Sequence, residues 1–133
     1  MKLLPLGSLL AALAVILGAF AAHALKAVLD TYQLAIFETG VRYQFYHSLG
    51  LLLVGILQRL EIGQKKALQR VGMFFLLGIV CFSGSLYLLA CRSLLGADAL
   101  ASIAGPITPI GGVLFIVGWS LLAYQTWRGT ADK

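Results

Sequence analysis

Charged residues are scarce in this chain. They make up 11% of 133 residues, and only five are Asp or Glu, where an average soluble domain carries roughly 25% charge. That scarcity excludes an intrinsically disordered chain, which needs polarity and charge to stay solvated, and argues against an ordinary soluble globule. The ten Lys and Arg residues give a net charge of +5, but they sit singly or in pairs at the ends of apolar runs. No basic stripe exists to follow a phosphate backbone, which argues against nucleic acid as a partner. Cysteine is limited to Cys81 and Cys91. Ten residues of helix would hold them about 15 Å apart, too far for a disulfide, and no C-x-x-C or Cys/His metal spacing occurs. Both are expected as free thiols packed as small hydrophobes. No internal repeat or low-complexity segment is present, which excludes a fibrous protein.

What fills the chain is apolar surface. With 60% hydrophobic residues, a mean hydropathy of +0.94 and a mass of 14.2 kDa, it fits a single membrane domain over residues 1–133. A bilayer span needs about 20 mostly apolar residues. Four stretches qualify, at about residues 3–24, 41–60, 71–91 and 107–124. They predict an all-α fold, an integral membrane bundle of four transmembrane helices. The first stretch has two marks of a signal peptide, Lys2 as a basic start and Ala22-His23-Ala24 as an A-x-A site. Its apolar run of about 20 residues exceeds the roughly 7–15 of a signal sequence. Gly7, Ala11, Ala14, Gly18 and Ala22 also recur at spacings of three and four, a face suited to close helix contact. The segment is therefore expected to remain as the first span.

Loop charge predicts the orientation. With a cytoplasmic N-terminus, Lys2, Arg59, Lys65, Lys66, Arg70, Arg128 and Lys133 lie inside, and Lys26, Arg42 and Arg92 lie outside. The positive-inside rule favours that arrangement, with both termini cytoplasmic and Tyr124 and Trp127 as interfacial anchors. Asp30 followed by Gln33 has capping-box spacing. A helix from there to Leu60 would be about 45 Å long against a hydrocarbon core of roughly 30 Å; the excess projects outward, bends near Gly40 or lies in the interface. Glu38 and Arg42, at i and i+4, are expected to form a helix-surface ion pair. Pro106 and Pro109 are expected at the entry to the last span, where a first-turn proline is tolerated. Gly111, Gly112 and Gly118 follow as thin contact positions.

In this arrangement the embedded polar residues gather in one half of the bundle. Tyr43, Gln44 and His47 lie in the outer part of the second span, Ser83, Ser85 and Tyr87 in that of the third, and His23 and Thr108 at the outer ends of the first and fourth. His47 and Ser85 both fall about 9 Å deep by helical rise. With Glu38 and Arg42 these residues form the candidate site, and the side chains of His23, Gln44, His47, Ser83, Ser85 and Thr108 are expected to turn mostly toward neighbouring helices. Two readings stay open. The layer is either interhelical glue or the lining of a water-accessible pocket open to the outside, in which a histidine could carry protons. His23, His47 and Glu38 could approach one another, but no H-x-x-x-H spacing supports a metal, and none is expected. Ser83 or Ser85 with His47 would be the only nucleophile and base. The G-x-S-x-G elbow is absent and no acid within the spans orients the histidine, so no catalytic residue is assigned and no enzyme is expected. The glycines near Gly111 carry no Lys-Ser/Thr ending and follow no strand, so no phosphate loop or cofactor is expected.

Four segments carry a family resemblance. Gly18-Ala19-Phe20-Ala21-Ala22-His23-Ala24-Leu25-Lys26 resembles the GAFGAHxLK signature of the YgdD-like small membrane proteins, a bacterial inner-membrane family of unknown function with relatives in eukaryotes. Phe37-Glu38-Thr39-Gly40-Val41-Arg42-Tyr43-Gln44-Phe45-Tyr46-His47-Ser48-Leu49-Gly50, Phe82-Ser83-Gly84-Ser85-Leu86-Tyr87 and Ile107-Thr108-Pro109-Ile110-Gly111-Gly112 are similar to its further motifs, in order along nearly the whole chain. Ala21 stands where the family usually has Gly. Gly40 stands where Ala is usual and is expected to loosen the helix there. The resemblance implies a four-helix integral protein of the bacterial inner membrane and supplies no reaction.

Two function classes follow. One is a non-enzymatic accessory subunit or membrane-homeostasis protein whose polar layer is structural. The other is a small transporter, channel or ligand-binding protein that uses the layer. The partners expected are the lipid bilayer and either further copies of the chain or a larger membrane complex.

Overall fold

A computed structural model describes residues 2–96, 99 and 101–131. Lys133, counted above among the basic residues, lies outside the described residues, and so does the side chain of Arg128. The described chain is helical almost throughout, with no strand. Helix α1 is Leu3–His23, α2 is Thr31–Arg59, α3 is Lys65–Gly78, α4 is Gly84–Cys91 and α5 is Ala101–Ala131. A π-helical turn, Ile79–Ser83, joins α3 to α4 without a break, so the two form one rod, Lys65–Cys91. The fold is an all-α membrane bundle. Three helical stretches, Leu3–Ala27, Lys65–Cys91 and Ser102–Trp127, are long and apolar enough to cross a bilayer. Helix α2 has 29 residues, enough length, but it carries Glu38, Arg42, Gln44 and His47.

The ends of α2 are locally encoded. Gln33 N–H donates to Asp30 Oδ1 at 2.7 Å and Asp30 N–H donates to Gln33 Oε1 at 3.2 Å, so both halves of the capping box form. At the other end Ile62 N–H reaches back to the Leu57 carbonyl at 3.0 Å, while Glu61 takes φ of 56°. That is a Schellman closure with Glu at the position that usually holds glycine. Gly63, with φ of 82°, completes the turn into α3.

Two expectations about prolines and glycines change. Helix α5 begins at Ala101, so Pro106 and Pro109 lie inside it rather than in its first turn. Gly40 does not interrupt α2, which runs unbroken from Thr31 to Arg59. A Cβ at Gly40 would lie 2.8 Å from Tyr87 Cε1, so the missing side chain seats the tyrosine ring instead of loosening the helix.

Packing is large residue on glycine. The Phe75 ring lies between Gly50 of α2 and Gly118 of α5, where added Cβ atoms would come within 2.9 and 2.7 Å of it. On α1, Gly7 and Ala14 are buried as expected, while Ala22 is exposed and Ala21 takes its place inside. Two apolar clusters result. One gathers Leu3, Leu51, Val54, Leu68, Val71, Phe75, Ile79, Phe115 and Leu122. The other gathers Ala21, Leu25, Leu29, Phe37 and Ala90 near the end where α1 finishes and α2 begins, called here the distal end.

Candidate functional site

The buried polar side chains among the described residues are Gln44, His47, Ser48, Ser83 and Ser85. They lie on α2 and the rod, and along both they fall between the two apolar clusters. On α2 the order is Phe37, then Gln44 to Ser48, then Leu51 and Val54; along the rod it is Phe75 and Ile79, then Ser83 and Ser85, then Ala90.

Gln44 is the centre of the layer. Its Nε2 donates to the Leu10 carbonyl of α1 at 2.9 Å, and its Oε1 accepts from the Tyr87 hydroxyl of α4 at 2.9 Å. One amide thus ties three helices, using a donor and an acceptor at once. The Ser85 and Thr108 hydroxyls share a hydrogen bond at 2.7 Å and tie α4 to α5; whichever hydroxyl accepts in it donates its own proton to a carbonyl, Phe82 at 2.9 Å from Ser85 or Ala104 at 3.2 Å from Thr108. Ser48 donates to the Gln44 carbonyl at 2.6 Å. Ser83 stands apart: it is fully buried in the π-helical turn and its Oγ has no hydrogen-bond partner.

His47 points into the bundle, 5% exposed. Its Nδ1 lies 2.7 Å from the Tyr43 carbonyl. A carbonyl only accepts, so that nitrogen is assigned the proton. The ring stacks on Phe115 with centroids 3.4 Å apart and planes 9° apart, with Phe75 at 5.6 Å and Trp119 at 6.1 Å. The histidine of α2 therefore sits in an aromatic box built from two other helices, α3 and α5.

Several candidate residues do not join. His23 is exposed, its Nδ1 on the Ala19 carbonyl of its own helix at 2.9 Å. Glu38 and Arg42 are both exposed. Their expected ion pair is absent: the Arg42 guanidinium donates to Thr39 Oγ1 at 3.1 Å. Tyr43 is 39% exposed and contributes its carbonyl and a ring contact with Phe82 at 4.5 Å. On the distal side of the layer lies the second apolar cluster, Ala21, Leu25, Leu29, Phe37 and Ala90. No group of three His, Cys, Asp or Glu side chains that could hold a metal occurs among the described residues, and Cys81 and Cys91 are free thiols.

Sequence reasoning missed Ser48 and the aromatic box. Ser48 carried a signal, its place one turn after Gln44. The i,i+4 spacing of Phe115 and Trp119 on α5 marks one wall of the box, but nothing local shows that it faces Phe75 of α3 and His47 of α2, because only helix rotation brings these together.

The family profile described as "Protein of unknown function (DUF423)" matches residues 17–112. The chain belongs to the DUF423 family. The chain is 45% identical to a UPF0382 membrane protein of Staphylococcus saprophyticus over 123 residues, 92% of this chain and 94% of that one. The UPF0382 membrane protein YwdK of Bacillus subtilis is 41% identical over 117 residues, covering 88% and 89%. A UPF0382 membrane protein of Haemophilus influenzae is 38% identical over 128 residues, covering 96% and 94%. No solved structure matches. The DUF423 match contains every side chain of the polar layer, from Gln44 to Thr108, while the Leu10 carbonyl and Phe115 fall outside it.

Proposed function

We propose that this chain is a non-catalytic, multi-pass protein of the bacterial inner membrane, in an accessory or membrane-homeostasis role, and that its polar layer holds the bundle together rather than lining a path. The observation that carries this reading is the placement of the layer between two apolar clusters. A conduit or an outward-open pocket would need polar groups leading to one end. Gln44 and the Ser85–Thr108 pair already use their hydrogen-bonding capacity on other helices, as groups buried in lipid must. Two cavities, each of about 280 Å³, are almost wholly apolar: one lies between the rod and α5 beside Val80, Leu88 and Ile107 and touches the layer only at Ser85, the other lies between α1 and α2.

In the same reading α2 also crosses the membrane, as the second of four spans, both termini face the cytoplasm, and the chain sits near the YgdD-like proteins its motifs resemble. Its basic residues support the orientation: Lys2, Arg59, Lys65, Lys66 and Arg70 cluster at one end, the side the positive-inside rule keeps cytoplasmic.

One observation favours the alternative, a ligand-binding or transport role: the partnerless Ser83 Oγ in a π-helical turn, a geometry that recurs at functional sites. A single experiment separates the two. In a cysteine-free background, Ser83→Cys should resist a small water-borne thiol reagent in intact membranes. Rapid labelling from either side would overturn the structural reading and favour the alternative.

A further inference from the structure

The second apolar cavity has a charged rim. It lies between α1 and α2 and is lined by Ala14, Gly18, Val41, Phe45 and Tyr46, with Arg42 at its edge. Gly18 leaves it open: a Cβ there would meet only Val41 Cγ1, at an ordinary 3.4 Å. Tyr46 is 55% exposed along its flank, so the cavity is a groove on the outer surface of the bundle.

Its charge has a direction. Arg42 lies inside the helix, about 6 Å below Glu38 by helical rise and on the same face. The two do not pair. Arg42 spends one of its five N–H donors on Thr39 Oγ1, which lies toward the distal end, so the guanidinium is drawn toward the membrane interface, as a snorkelling arginine is. Glu38 is exposed one turn further out. From the groove outward the order is therefore apolar floor, cation, anion. An ethanolamine phospholipid presents the matching order: acyl chain, phosphate and, two carbons beyond, a primary ammonium. Guanidinium matches phosphate in a planar, two-pronged geometry.

We propose that the groove between α1 and α2 binds an ethanolamine phospholipid, its acyl chain against Gly18, Val41 and Phe45, its phosphate on Arg42 and its ammonium on Glu38. This rests on the reading of α2 as membrane-embedded. A phospholipid lacking the ammonium leaves Glu38 facing the phosphate alone. A choline lipid offers no N–H donor to the carboxylate.

The test offers the purified, delipidated full-length chain equal amounts of ethanolamine, glycerol and choline phospholipids of matched acyl chains, with bound lipid read by native mass spectrometry. The ethanolamine lipid should be retained roughly tenfold over the other two, the size expected of one hydrogen-bonded charge contact. Arg42→Gln should lose most retention of all three. Glu38→Gln should keep retention and lose the preference. Gly18→Val should lower retention with both charges intact. All three should melt within about 2 °C of wild type, since surface substitutions rarely change stability much. Equal retention of the three lipids by the wild type, preference for the glycerol lipid, or full retention by Arg42→Gln overturns the proposal. Tyr46→Cys in a cysteine-free background tests the embedding separately. Labelling by a water-borne maleimide in intact membranes overturns the reading of α2 as a span. Protection from label together with no lipid preference overturns the lipid site alone.

Discussion

Gly111 and Gly112 are adjacent on α5, yet alanine should have opposite effects at the two positions. A Cβ at Gly111 would lie 2.7 Å from Phe82 Cβ and 2.8 Å from Phe82 Cα, and would also crowd the Phe82 backbone nitrogen. Carbon atoms prefer about 3.5–4.0 Å, so α5 would have to retreat from the rod by about 1 Å. Backbone atoms cannot swing aside as a side-chain tip can. The retreat would also stretch the 2.7 Å Ser85–Thr108 hydrogen bond and the His47–Phe115 stack, both within about a turn. Overpacking typically costs about 1–3 kcal/mol, and the upper half applies here. Against it stands a gain of about 1 kcal/mol for alanine over glycine in a helix. The net is a loss of about 1–2 kcal/mol. At Gly112 the nearest atom is Phe82 Cε2 at 3.8 Å, so only the gain remains. The two variants should therefore differ by about 2–3 kcal/mol, on the order of 10 °C in melting temperature for a chain of this size. Detergent-solubilised protein heated in steps and read by fluorescence-detected size exclusion gives the measurement. If Gly111→Ala melts at or above wild type, or if the two alanine variants melt together, the close approach of α5 to the π-helical turn is refuted.

Three further outcomes follow from the hydrogen bonds and the turn. Gln44→Leu and Tyr87→Phe should each lower stability, and their double-mutant cycle should return a coupling of about 0.6–1.7 kcal/mol, the range measured for interhelical bonds in lipid; a coupling near zero would mean the 2.9 Å contact contributes nothing. Ser83→Ala should hold or raise the melting temperature, because it removes a buried hydroxyl with no partner and loses no bond; a loss above about 1 kcal/mol would reveal a partner that the hydroxyl has in the membrane. Glu61→Gly should raise stability by about 1 kcal/mol by relieving left-handed backbone at φ of 56°, a strain of roughly 1–2 kcal/mol partly returned as unfolded-chain entropy, and an unchanged melting curve would count against the Schellman closure.

How much of this was legible in the sequence depended on the kind of signal. The capping box at Asp30 and Gln33 was readable because caps are local chemistry. The buried face of α1 was readable at Gly7 and Ala14 because small residues mark close approach even where everything is apolar. Rotation elsewhere was hidden. In water an amphipathic stripe reports which face of a helix is buried, but in a bilayer both lipid and core favour the same side chains. His23 and His47 are therefore both expected to turn toward neighbouring helices, although one is exposed and the other is boxed by aromatics. The π-helical turn was hidden for a related reason. It adds one residue to a turn in Ile79–Ser83, a stretch with no proline, whose polar residue, Ser83, marks a depth and not a change of pitch. The Glu38–Arg42 pair failed because i,i+4 spacing makes a pair available without making it the best option. Thr39, three residues back, offered the guanidinium a nearby hydroxyl oxygen instead.

The π-helical turn and the polar layer solve one problem together. Apolar helices in lipid gain little from burying one another, since lipid tails are as apolar as leucine. Packing of Phe75 on Gly50 and Gly118 sets how close the helices come but discriminates weakly against a slide of one turn, about 5.4 Å, that brings another leucine or phenylalanine into place. A hydrogen bond does discriminate. Sliding α2 by a turn takes Gln44 away from both the Leu10 carbonyl and Tyr87 and leaves an amide in a medium that offers no water, a loss of several kcal/mol. The rod must meet α2 on one side and α5 on the other at this same depth. In a regular α-helix, residues at 100° intervals give each side only one position per turn. The wider turn at Ile79–Ser83 changes the phase, so that Ser83 is buried while Ser85, two residues on, bonds Thr108 of α5 and Tyr87 reaches Gln44 of α2. The bonds to both neighbours thus fall at one level, and the register of α1, α2, the rod and α5 is held by side chains from a single layer. On that argument the partnerless Ser83 hydroxyl is the local consequence of the phase change, and stability should depend on Gln44 and Thr108 while tolerating the loss of Ser83 Oγ.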